Sequence, residues 1–180
     1  PEAVCCPSSA KAMPFSGKLK GRAVKAYLED IFSENILRRT LGIAALNALS
    51  TLVWEKTAHP EYELLYGADA FDEIDVKKYK KSVVVGALVP MIRKLMQENA
   101  DFHILEKDSR TLKEREMPYF LPPERAGECV PYADLLVITG VTILNDTLPE
   151  LLSMAKKNVE ILVVGPTASM LPECLFSKGV

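Results

Sequence analysis

Small or hydroxylated residues directly follow three short apolar runs in the chain from Ser82 onward. Gly86 follows Val83 to Val85; Thr139, Gly140, Val141 and Thr142 lead to Asn145 after Leu135 to Ile138; Gly165, Pro166 and Thr167 follow Glu160 to Val164. Such residues let backbone N–H groups and short side chains hold a polar ligand, which is not the chemistry of a packed interior. Each has a structural alternative. Gly140 and Gly165 suit tight strand-to-helix turns, Asn145 and Asp146 suit irregular turn backbone, and Thr147 with Glu150 has the spacing of a capping box. Their recurrence at three separate loops favours a ligand site. Glu106 closes a further run, Phe102 to Leu105, 20 residues beyond Gly86. At that distance a dinucleotide-binding unit sets an acid against ribose hydroxyls. The glycine fingerprint is missing, since Gly86-Ala87-Leu88-Val89-Pro90 has one glycine where three are wanted. That argues against a bound pyrophosphate.

Other chemistry is poorly provided for. Cys5, Cys6, Cys129 and Cys174 show no CxxC spacing, and the two histidines, His59 and His103, lie 44 positions apart without a nearby cysteine. No metal ligand set is therefore assigned. No Ser-His-Asp arrangement and no close carboxylate pair suggests hydrolysis, so no catalytic residue is assigned and enzymatic activity stays open. Thiols without a disulfide framework fit a reducing cytoplasm, the expected location.

The elements that must position these residues follow from periodicity. Val83 to Val85, Phe102 to Leu105, Leu135 to Ile138 and Glu160 to Val164 read as continuously apolar strands. Met91 to Glu98, with Pro90 in its first turn, and Leu148 to Lys157 read as intervening helices. Strands of this kind form a parallel sheet covered on both faces, an α/β doubly wound class. Right-handed crossovers predict the strand order second, first, third, fourth, with the topological reversal between first and third. Ligands bind beyond the carboxyl ends of strands at such a reversal, where the residues above fall. Lys107 to Tyr132 carries four prolines and no periodicity, and reads as a functional or mobile loop, a candidate lid.

The N-terminal part is organised differently. A short strand is expected over Ala3 to Cys6, then a loop, then an amphipathic helix from Gly21 ending near Ser33, which caps the next helix. That helix, Ile36 to Lys56, is apolar nearly all round and is expected to be buried on most sides. Gly42 within it implies close backbone approach; Asn47 either bonds internally or faces a polar cleft. Asp69 to Lys81, ending in Lys77, Lys78, Lys80 and Lys81, reads as a solvated linker, and the character changes abruptly at Ser82. Domains are set at 1–75 and 76–180.

Composition bounds the partners. With 180 residues, 48% hydrophobic and 26% charged, the chain is of globular type. Lys+Arg 22 against Asp+Glu 24 gives a net charge of -2, so no nucleic-acid partner is expected. The apolar stretches Leu41 to Leu49 and Val83 to Ile92 are broken by Asn47, Gly86 and Pro90, and fall short of the roughly 20 residues of a membrane span. Pro1 in place of Met is read as a processed or trimmed start.

Ile138-Thr139-Gly140-Val141-Thr142-Ile143-Leu144-Asn145-Asp146-Thr147-Leu148, with Val164-Gly165-Pro166-Thr167 and Pro172-Glu173, resembles the signature of a heavy-metal chelation domain family of bacteria and archaea. Leu41-Gly42-Ile43-Ala44-Ala45-Leu46-Asn47-Ala48 similarly resembles the end of that family's smaller domain. The resemblance implies a Rossmann-like parallel sheet with helices on both faces, preceded by a small α+β domain like the enolase N-terminal domain, the two meeting in one cleft. Asn47, Gly86, Glu106, Thr139, Gly140, Asn145, Gly165 and Thr167 would line it. Val89 stands where the family often has an aromatic residue. By the same measure the first domain lacks an opening hairpin strand and the second its last strand, leaving a sheet edge for a partner copy to cover.

The function expected is binding or processing of a small organic ligand or metal chelate in that interdomain cleft, in heavy-metal metabolism. The alternative is an enzyme using an adenine-containing cofactor, NAD or S-adenosylmethionine, motivated by Glu106. A third reading is a homo-oligomeric scaffold.

Overall fold

The computed structural model describes residues 13–180; the strand expected over Ala3 to Cys6 lies outside them. Five strands, β1 (Ser82–Val85), β2 (Phe102–Leu105), β3 (Phe120–Leu121), β4 (Leu135–Thr139) and β5 (Glu160–Val164), form one sheet in the order β3-β2-β1-β4-β5, every pair parallel. The predicted order of four strands is observed, with the reversal between β1 and β4. The addition is β3. Two residues within a proline-rich stretch carry no periodic signal, and β3 is held by pairing of Ile104 with Phe120 and Leu105 with Leu121.

Alternate residues along each strand feed two separate cores, as period-2 geometry requires. Val84, Ile104, Leu135 and Val137 pack under helix α4 (Val89–Gln97), with Met91, Ile92 and Leu95 all fully buried. Val83, Leu105, Leu136 and Ile138 pack on the other face with Leu148 and Leu151 of helix α6 (Leu148–Met154). The α/β expectation therefore holds, with helices on both faces. The loop expectation does not. Residues 107–132 wind through four 3-10 turns and β3, burying Leu112, Glu116, Leu121, Ala126, Cys129 and Val130, so this segment is a packed layer and not an open lid. Prolines and missing periodicity mark irregular backbone, which can still bury side chains when short turns satisfy its polar groups.

The supposed linker is packed too. It contains helix α3 (Ala70–Glu73) and a 3-10 turn in which Val76 is 1% exposed, while Phe71, Ile74 and Tyr79 lie against the α4-side core. The lysines remain on the solvent side, as read, and Lys77 pairs with Glu98 at 2.9 Å.

Helix α1 (Val24–Glu29) continues through a 3-10 turn to Phe32, and helix α2 spans Ile36–Lys56. Asn35, not Ser33, caps α2: its Oδ1 accepts from the N–H groups of Leu37 and Arg38, while Ser33 Oγ accepts from Asn35 N. The close approach foreseen at Gly42 is real. A Cβ there would lie 2.7 Å from Ile31 N and Tyr27 O. Burial on most sides is not observed, since only Gly42, Ile43 and Ser50 of α2 are buried and Leu52 is exposed. An all-round apolar pattern forecasts burial only if neighbours exist on every side. At 21 residues α2 has the length and apolarity of a membrane span, which the interrupted stretch Leu41 to Leu49 concealed. One face of it is engaged by the sheet domain through polar contacts described below.

Two stability predictions follow from these contacts. Gly42→Ala raises helix propensity by about 1 kcal/mol, yet the added methyl meets two backbone atoms, so urea unfolding should show a net loss of about 1–3 kcal/mol; a stabilised variant would contradict the packing. Asp134 Oδ1 accepts from Lys156 Nζ and its Oδ2 from the N–H groups of Lys81 and Lys80, contacts that hold its carboxyl below the ordinary range. A depressed folded-state pKa contributes stability above the unfolded value, near pH 4, that is lost as pH falls through the folded value. Asp134→Asn should therefore be less stable than the parent at pH 7 and converge with it in acid.

Candidate functional site

The carboxyl ends of β1, β2 and β4 open onto a cleft of about 590 Å³. Among the described residues its lining comes from residues 85–154 and includes Gly86, Glu106, Thr139 and Asn145. Gly86 has φ +96°, and a Cβ there would lie 2.9 Å from Thr139 Cγ2. Glycine thus serves twice at this turn, in conformation and in allowing the close approach of Thr139. Gly86 N donates to Leu105 O, Leu88 N to Gly86 O and Val89 N to Ala87 O, while Pro90 has no N–H. The amides that would cradle a pyrophosphate in a dinucleotide site are largely spent within the turn.

After β4, Thr142 Oγ1 donates to Thr139 O at 2.8 Å, and Thr139 Oγ1 accepts weakly from Val141 N at 3.4 Å. Asn145 Oδ1 accepts from both Thr147 N (3.3 Å) and Thr147 Oγ1 (2.7 Å). This corrects the capping-box reading: Thr147 does precede α6, but its hydroxyl bonds Asn145 and makes no side-chain cap. Glu106 Oε1 accepts from Asp108 N at 3.0 Å. Asp108, unnoticed in the sequence, also lines the cleft; Arg110 bonds both its carboxylate oxygens at 2.8 Å and holds its carboxyl below the usual range. With Glu150 on the wall as well, three carboxylates face or border the opening.

Asn47, Gly140, Gly165 and Thr167 fall elsewhere, along a seam beside the cleft. Asn47 Nδ2 donates to Pro166 O (2.8 Å) and Thr167 O (3.2 Å). Two carbonyl partners fix which end of the amide is nitrogen, and leave Asn47 Oδ1 buried without a donor. Gly140 lies beneath the next loop, where a Cβ would come within 2.9 Å of Ala168 N. Gly165 has φ +103°, a turn geometry that favours glycine. The expectation that all eight residues share one opening is revised accordingly: four line the cleft, while Asn47 ties the loop after β5 to α2 through the carbonyls of Pro166 and Thr167, Gly140 lies beneath that loop and Gly165 opens it.

Two residues missed in the sequence complete that seam. Arg39 Nη1 donates to Leu144 O at 2.8 Å and pairs with Asp146, and Leu171 N donates to Ser50 Oγ at 3.1 Å. Ile43 packs between them against Leu144 and Met170. Positions 39, 43, 47 and 50 share one helix face. That spacing was available in the sequence, masked by apolar residues around the rest of α2.

Of the cysteines among the described residues, Cys129 is buried and Cys174 exposed. Burial pushes the Cys129 thiol up, away from the thiolate a metal needs. His103 is half-buried on β2.

The family DUF364, described as "Putative heavy-metal chelation", matches residues 69–180, and DUF4213, with the same description, matches residues 3–50. An uncharacterized protein of Methanocaldococcus jannaschii is 33% identical over 150 residues, 82% of this chain and 54% of that protein. A DUF364-family crystal structure from Pyrococcus horikoshii, of unknown function, superposes with TM-score 0.69 at 25% identity over 90% of this chain and 62% of that one. Another, from Desulfitobacterium hafniense, gives 0.65 at 22% identity, over 92% and 62%. The chain thus spans a little over half the length of these relatives.

The seam makes its own prediction. Asn47→Ala removes the donor from two carbonyls and should cost about 1–3 kcal/mol, with faster amide hydrogen exchange confined to the segment from Gly165 to Leu171. Uniformly unchanged exchange would contradict the assigned role.

Proposed function

The chain belongs to the DUF364 heavy-metal chelation family, and on that premise we propose that it binds a small organic metal chelator, or its metal complex, in the strand-end cleft. The observation that carries this reading is the lining itself. Val85, Leu105, Leu151 and Met154 provide apolar walls, while Glu106 after β2 and Thr139 and Asn145 at and beyond the end of β4 line the cleft from either side of β1. An apolar enclosure with a few convergent polar groups, of this volume, is the usual form of a small-molecule site. A heterocyclic ligand would bury its ring against the walls and present its donors to the threonine and asparagine.

Electrostatics narrows the ligand. Glu106, Asp108 and Glu150 stand against Lys107 in the same lining and Arg110 on Asp108, which leaves a weakly acidic opening that suits a ligand whose negative donors are neutralised by a bound cation better than a polyanion. The consumed turn amides point the same way, against the alternative of NAD. Asn47, Gly140, Gly165 and Thr167 support the site in this account by holding the loop after β5, not by touching the ligand.

Thermal-shift measurement with pyridine-2,6-dicarboxylate and a catecholate, each alone and as its nickel or iron complex, tests the proposal beside NAD and S-adenosylmethionine. A ligand at 100 times its Kd should add about 2.7 kcal/mol of stability, and Met154→Trp, which intrudes from the cleft wall, should reduce the shift. Stabilisation by an adenine cofactor alone would overturn the chelate reading in favour of a cofactor-dependent enzyme.

A further inference from the structure

Away from the cleft, the chain segment after α2 meets the C-terminal helix α7 (Glu173–Phe176). There His59, Glu61 and Glu173 bring one imidazole nitrogen and two carboxylate oxygens within 4.8 Å of one another. None of the three lines the cleft. His59 Nδ1 lies 3.8 Å from Glu61 Oε1 and 3.8 Å from Glu173 Oε1, too far for a direct hydrogen bond.

Thr57 Oγ1 lies 2.7 Å from Val53 O and 2.8 Å from His59 Nε2; with its single proton given to Val53 O, it accepts from Nε2–H. In that tautomer the Nδ1 lone pair faces the two carboxylates, an arrangement that a cation between them satisfies. The His59 side chain is 10% exposed, and its ring stacks on Tyr62 with centroids 5.1 Å apart. It is thus a buried, oriented acceptor with no donor at Nδ1. Tyr62 is itself placed from behind: Trp54 Nε1 donates to Tyr62 OH at 3.0 Å, and Tyr62 OH donates to Glu173 Oε1 at 3.4 Å. Phe176 packs edge-on against the Tyr62 ring. A ring nitrogen bonded to a neutral acceptor on its far side, and a carboxylate hydrogen-bonded behind, are the outer-shell arrangements that orient metal ligands.

We propose that His59, Glu61 and Glu173 bind a first-row divalent cation, joining the segment after α2 to α7. One nitrogen and two oxygens suit manganese to zinc, and three protein ligands leave further positions for water or for an exchangeable donor. The site joins His59 and Glu61, two positions apart, to Glu173, 112 positions beyond Glu61, which is why cysteine and histidine spacing does not reveal it.

The test titrates the purified chain with Mn²⁺, whose preference for oxygen donors keeps Cys174 from competing, following the free-ion signal by electron paramagnetic resonance. One ion per chain should bind, at least about tenfold more weakly in His59→Ala and in Glu173→Gln, with circular dichroism confirming that both fold. Thr57→Val, which touches no ligand atom, should weaken binding by about 10- to 100-fold. Met154→Trp should leave it unchanged, which separates this site from the cleft. Absence of stoichiometric binding, or equal affinity in His59→Ala and the parent, would overturn the proposal; so would a His59 ring that nitrogen NMR shows doubly protonated in the presence of the ion, since it would then be a simple ion pair.

Discussion

The approach of Gly86 to Thr139 governs the functional end of the molecule. These residues end β1 and β4, the neighbouring strands whose outgoing connections cover opposite faces of the sheet. Divergence of the two connections leaves a crevice over the carboxyl edge that the chain does not fill. With a side chain at position 86 the turn would be strained at φ +96° and Thr139 would have to move. The crevice and its polar floor at Thr139 depend on that turn.

The second determinant is the docked helix α2. A parallel sheet presents its strand-end loops as irregular backbone with carbonyls to satisfy, and α2 answers them at three points through Arg39, Asn47 and Ser50. Ile43 excludes water between those contacts by packing on Leu144 and Met170. The N-terminal part of the chain therefore acts as a brace for the loops after β4 and β5. Its described residues shape the neighbourhood of the cleft without lining it.

How much of this was legible in the sequence differs by element. The four longer strands, their order and the helices between them followed from continuous apolar runs and crossover handedness, because buried parallel strands leave little freedom in composition. The residues after β1, β2 and β4 could be placed at one edge for the same reason. What stayed hidden was set by tertiary contact. β3 is two residues long and exists through its pairing with β2. The segment from Lys107 to Tyr132 packs through turns that have no period. Asn47 was noticed as a polar residue on an apolar helix, but the choice between ligand and backbone carbonyl is decided by the loop after β5. His59, Glu61 and Glu173 are brought together across 114 positions, from 59 to 173, which no local pattern reports.

The central claim is that the crevice at the β1/β4 reversal is where the ligand sits, and the most direct measurement is a crystal structure of the chain soaked with the nickel complex of pyridine-2,6-dicarboxylate, with anomalous scattering recorded at the nickel edge. The account predicts a nickel peak inside the cleft, with ligand density against Glu106, Thr139 and Asn145. An empty cleft at saturating complex, or a nickel peak held away from those residues, would contradict it.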